Sequence, residues 1–311
     1  MNKKVIIVDD EVDLTKLAKM KLENAGYECL VLNNSQNAFE TIKREAPCVV
    51  ILDVMMPGIT GYDLCRRIRK DPITYTIPIL IFSALGQEPE ILHGLEQGAD
   101  DYLVKPFSPE RLIERVESMM ELGDVIERKN PTTNLPGTEA IKREINHRLL
   151  RGETFAVCYV DIMYFKPYRQ HYKDKRHDDV TRDTATLIQN LIREQEIYES
   201  FLGHMGGEHF ISIINIERYE KFCAKLTERF AKMTPDFYEQ KEQDQGFIHG
   251  TDRTGQRRKF PFMCMSVGVV HNAYRKFKSA AKIFEVLAQV KHMAEKSGAS
   301  CVFVDRRKSD R

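Results

Sequence analysis

Five short runs of uninterrupted apolar residues, at 5–8, 29–32, 49–52, 79–82 and 102–104, are separated by amphipathic stretches of helical length. Strands that are apolar on both faces belong to a parallel sheet covered by helices on each side. In open sheets of this kind, ligands bind beyond the carboxyl ends of the strands. The polar residues at those ends are Asp9 and Asp10 after the first run, Asp53 after the third, Ser83 after the fourth and Lys105 after the fifth. Three carboxylates at one edge repel one another unless a hard cation lies between them, and Mg²⁺ with oxygen ligands suits them. An aspartate is also a nucleophile toward phosphorus. The resulting acyl phosphate would carry about two negative charges, with Lys105 to pair one oxygen and the Ser83 hydroxyl to donate to another. A single Asp after a strand reads as a turn or cap residue; five matching side chains on four strand ends do not.

The stretches VDDE, LDVMMPGITG, FSALG and DYLVKPF, over residues 1 to 122, resemble the receiver domain of bacterial two-component response regulators. The resemblance implies a flavodoxin-like fold with a five-stranded parallel sheet. It implies Asp53 as phosphoacceptor, Asp9, Asp10 and Asp53 as Mg²⁺ ligands, Ser83 and Lys105 as sensors of the phosphoryl group, and Tyr102 as the switch aromatic. It also implies a cis Lys105–Pro106 bond, proline being the residue type for which cis is cheap, and a cognate histidine kinase as partner.

At 311 residues the chain has room for two domains. With 47 Lys+Arg against 46 Asp+Glu, it lacks the charge to grip nucleic acid or an anionic membrane by bulk electrostatics. No apolar run approaches the ~18–20 residues of a membrane span. The acidic pair directly after the first apolar run marks a strand rather than a secretion signal. Seven cysteines, none in a CxxC pair, suit reduced core thiols in a cytoplasmic protein.

Residues 109–129 read as one helix, begun by Pro109 after Ser108 and stopped by Pro131. Leu112, Val116, Met119, Gly123 and Ile126 follow a 4-3-4-3 spacing. That spacing is the seam of a dimerising coiled coil, or else the face that packs the last receiver helix on its own sheet. A helical linker is expected at 123–131, continuing that helix, and a second domain over 132–311.

In that second domain the order changes. Strands are expected at 155–160, ending in Asp161, then at 198–205 and 209–215 around Gly206–Gly207, and later at 261–270 and 301–304. Helices are expected at 178–193, 217–232 and 280–294. A hairpin with a tight glycine turn, mixed with helices, indicates an α+β sheet of ferredoxin type.

The stretches NPTTNLPG, YVDIMYFKPY, GHMGGEHF and MSVGVV resemble the GGDEF domain of diguanylate cyclases, a nucleotidyl-cyclase-like fold that condenses two GTP into cyclic di-GMP. By that resemblance Asp161 and Glu208 are metal ligands for Mg²⁺. Lys166 and Asp178 belong to the nucleotide site, and Gly206 and Gly207 leave a bare backbone where phosphates approach. Other positions depart from the family. Arg169 replaces a guanine-reading Asn and has no acceptor for the base. His209 replaces the acidic fourth residue of the motif. Glu295 and Ala299 replace a phosphate-binding Lys and Arg, the first of them reversing a Coulomb term. The family's inhibitory RxxD, five residues before the glycines, reads IYES at 197–200.

Two features carry paired readings. His204 and His209 flank the turn, either as a replacement ligand or base for Asp161 or as residues tolerated once catalysis is lost. Arg253, Arg257, Arg258 and Lys259, in a polar insertion over 234–259, form a site for a nucleotide or an acidic partner, or a solvated hairpin arm. The sequence favours a response regulator, homodimeric, whose GGDEF output is degenerate and non-catalytic and acts through a protein partner or bound GTP. Its alternative is a phosphorylation-activated diguanylate cyclase. A DNA-binding output lacks both a helix-turn-helix segment and a basic face.

Overall fold

The computed structural model describes residues 3–84, 87–173, 176–251, 255–295 and 298–307. The chain separates into two compact units, Met1–Arg128 with Asn146–Gly152, and Lys129–Ile145 with Glu153–Arg311.

In the first unit the strands are β1 (Lys4–Val8), β2 (Glu28–Leu32), β3 (Val49–Asp53), β4 (Ile79–Ser83) and β5 (Asp101–Val104). They alternate with the helices α1 (Val12–Asn24), α2 (Ala38–Glu45), α3 (Gly61–Lys70), α4 (Glu88–Glu96) and α5 (Pro109–Glu127). The sheet is parallel throughout, in the order β2-β1-β3-β4-β5. Alternation along β1 explains why the runs are apolar without interruption. Ile6 and Val8 enter a core with Ile42, Leu64 and Ile68, from α2 and α3. Val5 and Ile7 enter another with Ala18 and Leu22 of α1 and Leu112, Val116 and Met119 of α5. The strand order reverses between β1 and β3, so the crevice of such a sheet opens where Asp9, Asp10 and Asp53 lie.

Helix α5 uses its spacing to pack against the receiver sheet. Leu112, Val116 and Met119 are spent on the receiver's own sheet, and Ile126 is also buried. A two-stranded seam through these residues would have to withdraw them from that core. The helix begins with the Ser108 side chain accepting from the Arg111 amide, as its sequence predicts. It ends at Glu127 rather than 129, because Arg128 takes an extended conformation and Lys129 forms a bridge to Pro136. Residues 128–131 are therefore not a helical continuation.

The second unit holds a five-stranded sheet in the order β12-β11-β6-β8-β7. Its elements are α6 (Thr138–Arg151), which crosses the boundary between the units, β6 (Phe155–Met163), α7 (Phe165–His171), α8 (Arg176–Glu194), β7 (Phe201–Gly206), β8 (His209–Asn215), α9 (Tyr219–Met233), a short 3₁₀ turn, α10 (Gln240–Gln245), β9 (Ile248–Thr251), β10 (Arg257–Phe260), β11 (Cys264–His271), α11 (Ala280–Glu295) and β12 (Cys301–Val304). The central β6 is buried along its whole length and runs antiparallel to both β8 and β11. Val180, Ile188 and Leu191 of α8 and Phe222, Leu226 and Phe230 of α9 cover one face.

The differences from the sequence reading have local causes. Strand β6 continues two residues past Asp161 because its pairing with β11 runs on to Met163↔Cys264. Strand β7 starts at Phe201 rather than 198, since Glu196 and Glu199 take positive φ and break the extended backbone. The insertion does end in a two-stranded hairpin, β9 with β10, but α10 and the 3₁₀ turn precede it. Arg257, Arg258 and Lys259 are exposed on that hairpin, and Arg253 lies outside the described residues. All seven cysteines are free, and Cys158 and Cys223 meet at 3.7 Å as buried thiols.

Candidate functional sites

The first site is built by neighbouring strand ends. Strands β1 and β3 pair in register through Val8↔Leu52, so the residues that follow, Asp9 and Asp53, emerge side by side. Both are buried, whereas Asp10 is exposed. The Glu11 amide donates to Asp9 Oδ1 at 2.9 Å, and the Met55 amide donates to Asp53 Oδ2 at 2.7 Å. From the end of β5, Lys105 Nζ donates to Asp9 Oδ2 at 2.7 Å and to Asp53 Oδ1 at 2.6 Å. Burial raises the Asp9 carboxyl above its ordinary pKa, with the Lys105 hydrogen bond acting against it. Burial also opposes the charge on Lys105, but its hydrogen bonds to Asp53 and Asp9 outweigh that and hold its pKa up.

Asp9, Asp10 and Asp53 bring one oxygen each within 4.8 Å of one another. An all-oxygen set of this kind fits Mg²⁺. Ser83 is buried at the end of β4, and its carbonyl accepts from the Lys105 amide at 2.8 Å. Tyr102 is turned inward against α4, where a Cβ added at Gly94 would meet its ring at 3.3 Å. The Lys105–Pro106 bond is cis. Sequence reasoning missed the part played by Gly61. A Cβ there would sit 2.0 Å from the Asp53 carbonyl oxygen, so only glycine lets α3 start directly against the end of β3. The signal was present in LDVMMPGITG, as a glycine just after a turn.

The second site lies where β6, β8 and α11 meet. Asp161 pairs in register with His209 across β6 and β8, and Glu208 precedes His209 in the turn. Gly206 and Gly207 take φ of 108° and 59°, and a Cβ at either would meet nothing within 4 Å, so the turn is bare and open. His209 Nδ1 lies 2.7 Å from Asp161 Oδ1. That nitrogen is buried, yet it is not aligned as a hydrogen bond. Its other nitrogen is 4.0 Å from Glu208 Oε1. Lys291, on α11, places Nζ 3.8 Å from the same Asp161 oxygen while donating to the Tyr159 hydroxyl at 3.1 Å.

His204 is not part of this cluster. It is buried, stacks on Phe210, takes the Thr133 hydroxyl at Nδ1 (2.9 Å) and faces the Gly207 carbonyl with Nε2 (3.0 Å). The Gly207 carbonyl can only accept, so Nε2 carries a proton. Burial holds its pKa below the ordinary value, aided by the nearby His209 ring. Its role is thus to pin the glycine turn to the segment containing Thr133. Lys166 and Arg169 are both exposed on α7. Asp178, on α8, accepts from the Thr132 hydroxyl at 3.4 Å. Ala299 is exposed after α11. Lys291 and Tyr159 were not foreseen; the only trace of Lys291 in the sequence is a cation interrupting the apolar face formed by Ile283, Leu287 and Val290.

A doubly covered parallel sheet with an acidic carboxyl edge defines the first unit as a signalling receiver, and a model of the response regulator receiver domain matches residues 5–117. A model of the diguanylate cyclase GGDEF domain matches residues 130–250. The phosphate regulon transcriptional regulatory protein PhoB of Pseudomonas aeruginosa is 42% identical over 120 residues, 39% of this chain and 52% of that protein. The "Probable transcriptional regulator ycf27" of Cyanophora paradoxa is 37% identical over 233 residues, 73% of this chain and 88% of that protein. The PhoB match thus spans about half the length of that relative. Among solved structures, the receiver domain of the Francisella response regulator 1452 matches at 35% identity and a TM-score of 0.37, over 39% of this chain and 98% of that one. The beryllofluoride-activated receiver domain of Klebsiella pneumoniae RstA matches at 31% and 0.35, over 38% and 97%. The chain belongs to the two-component response regulators and carries a GGDEF domain as its output.

Proposed function

We propose that this response regulator uses phosphorylation of Asp53 to switch a GGDEF domain that no longer makes cyclic di-GMP and works instead as a binding module. In this reading Asp9, Asp10 and Asp53 hold Mg²⁺ and Asp53 attacks the phosphoryl donor, a cognate histidine kinase. Lys105, already between Asp9 and Asp53, pairs the new phosphoryl oxygens, Ser83 donates to them, and Tyr102 relays the change. The reading places receiver, linker and output at 1–122, 123–131 and 132–311. It gives the protein a cytoplasmic setting, a homodimeric form and a protein partner for the output domain. No helix among the described residues is long and apolar enough to cross a membrane.

The observation that carries the reading is His209 in the metal cluster of the second unit. Two metal ions on a triphosphate call for oxygen ligands, and here an imidazole and the Lys291 ammonium both face Asp161. Arg169, Glu295 and Ala299 further remove base recognition and phosphate binding. Charge-assisted contacts are worth about 1.5–3 kcal/mol each, so their joint loss costs several powers of ten in rate. Asp161, Glu208, Lys166, Asp178 and the open Gly206–Gly207 turn favour the second reading, a phosphorylation-activated cyclase with a rebuilt site, and leave room for GTP to bind. Incubating the full chain with GTP and Mg²⁺ or Mn²⁺, with beryllofluoride on the receiver, separates the two. No cyclic di-GMP is expected; product that disappears in Glu208→Ala would establish the cyclase.

A further inference from the structure

We propose that Asp161, Glu208 and His209 form a binding site for a first-row transition-metal ion, with Zn²⁺ as its best-fitting occupant. Three observations lead there. The three side chains each offer a donor atom, and these atoms lie within 4.8 Å of one another. They stand on rigid elements: Asp161 on the buried central strand, His209 directly opposite it in register, and Glu208 on the glycine turn that His204 pins in place. His209 Nδ1, finally, is a buried nitrogen with no aligned hydrogen bond, facing a carboxylate oxygen at 2.7 Å. An imidazole nitrogen and a carboxylate oxygen turned toward each other in this way can take a cation between them, the ring giving up any proton on that nitrogen as the metal binds.

The donor chemistry selects the ion. Mg²⁺ prefers six oxygens in strict octahedral geometry and gains little from imidazole. One nitrogen and two carboxylate oxygens suit Zn²⁺ and its neighbours in the first row. With bonds of about 2.0–2.1 Å, tetrahedral Zn²⁺ sets its ligands roughly 3.3 Å apart. The Nδ1 to Asp161 distance need open only slightly, which a ring with 30% of its side chain exposed allows. Three protein ligands leave a fourth position for water or an incoming ligand. Lys291 is the group that opposes the ion, and its bond to the Tyr159 hydroxyl, with its position over that ring, keeps it in place beside the site. His204 does not compete, because both its nitrogens are engaged by Thr133 and Gly207. Replacing a carboxylate by His209 thus changes the metal this position selects as well as weakening it for magnesium.

The test uses the full-length protein in excess Mg²⁺, which fills the receiver cluster, with Zn²⁺ titrated by calorimetry and Co²⁺ by its visible absorption. One Zn²⁺ per chain is expected that Mg²⁺ does not displace, with binding weakened roughly tenfold or more in His209→Gln. Ions held by cysteine thiols would bind both proteins alike, so the difference reports this site. Zn²⁺ should also raise the melting temperature of the wild type but not that of His209→Gln. Glu208→Gln, a change on a half-exposed turn residue, gives the same comparison should the strand variant fold poorly. Equal Zn²⁺ binding by the wild type and either folded variant, or displacement by Mg²⁺ at equal concentration, would overturn the proposal.

Discussion

The two units each bring carboxylates and a lysine together, at strand ends in the first and between β6, the glycine turn and α11 in the second, and the two clusters differ in what the carboxylates face. In the receiver, Asp9 and Asp53 are bridged by Lys105 at 2.7 and 2.6 Å, and every other polar atom offered to a cation is an oxygen. In the GGDEF domain, Asp161 faces an imidazole at 2.7 Å and an ammonium at 3.8 Å, and among the described residues Glu208 adds the one further carboxylate of the cluster. In the proposed reading the first arrangement shifts a lysine contact from Asp53 to its phosphoryl group without rebuilding. The second offers an imidazole, at His209, beside its two carboxylates. In the proposed reading a fold outlasts its chemistry: the glycine turn, the register of β6 on β8 and the aromatic core surround a donor set that includes an imidazole.

The largest effect expected is on the receiver. Asp53→Asn should reduce phosphoryl incorporation from acetyl phosphate to background, read by phosphate-affinity electrophoresis. Incorporation that survives would move the acceptor elsewhere and remove one side of the contrast. Next comes Gly61→Ala, whose new methyl collides with the Asp53 backbone rather than with a flexible side chain. Overpacking of that kind costs about 1–3 kcal/mol, and urea unfolding of the receiver should show it; an unchanged midpoint would mean that α3 and β3 can part without cost.

A smaller effect concerns pH. Burial lowers the pKa of His204 in the fold below the ordinary 6.5. The unfolded chain therefore takes up a proton first as pH falls. The stability of the second unit should be full above about 6.5 and should decline as pH drops from there through the folded value. His271, lowered by burial as well, adds a slope of the same sign. Urea midpoints at pH 8 and pH 5 should differ in the wild type and differ less in His204→Gln; equal slopes would assign the dependence to other groups. The smallest effect is a null one. Restoring the acidic residue with His209→Glu should yield no cyclic di-GMP, because Arg169, Glu295 and Ala299 still lack the base and phosphate contacts. Product from this single change would narrow the defect to one side chain.

Much of the receiver was legible because its chemistry sits at the ends of unbroken apolar strands, where position in the chain and position in space coincide. Asp9, Asp53, Ser83 and Lys105 follow their strands by at most one residue. The second unit was harder to read. Its candidate metal residues were visible, Asp161 at the end of an apolar run and Glu208 after the glycine pair, but Lys291 reaches Asp161 from 130 residues away, and no local pattern announces such a contact. Helix α6 went unread, although Ile141 and Ile145 mark its buried stripe at helical spacing. Helix α7 is only seven residues long, carries Pro167 inside it and is aromatic rather than periodic, so packing rather than propensity forms it. The seam residues of α5 fit two partners equally well in sequence. The receiver sheet supplies one of them.

The most direct measurement follows both clusters in one sample: phosphoryl uptake on Asp53 and cyclic di-GMP formation from GTP, over the same time course with acetyl phosphate and Mg²⁺. Phosphorylation of the receiver with no cyclic di-GMP is the expected result. Cyclic di-GMP that accumulates in step with phosphorylation, and is absent in Asp53→Asn, would contradict it and make the GGDEF domain a working enzyme.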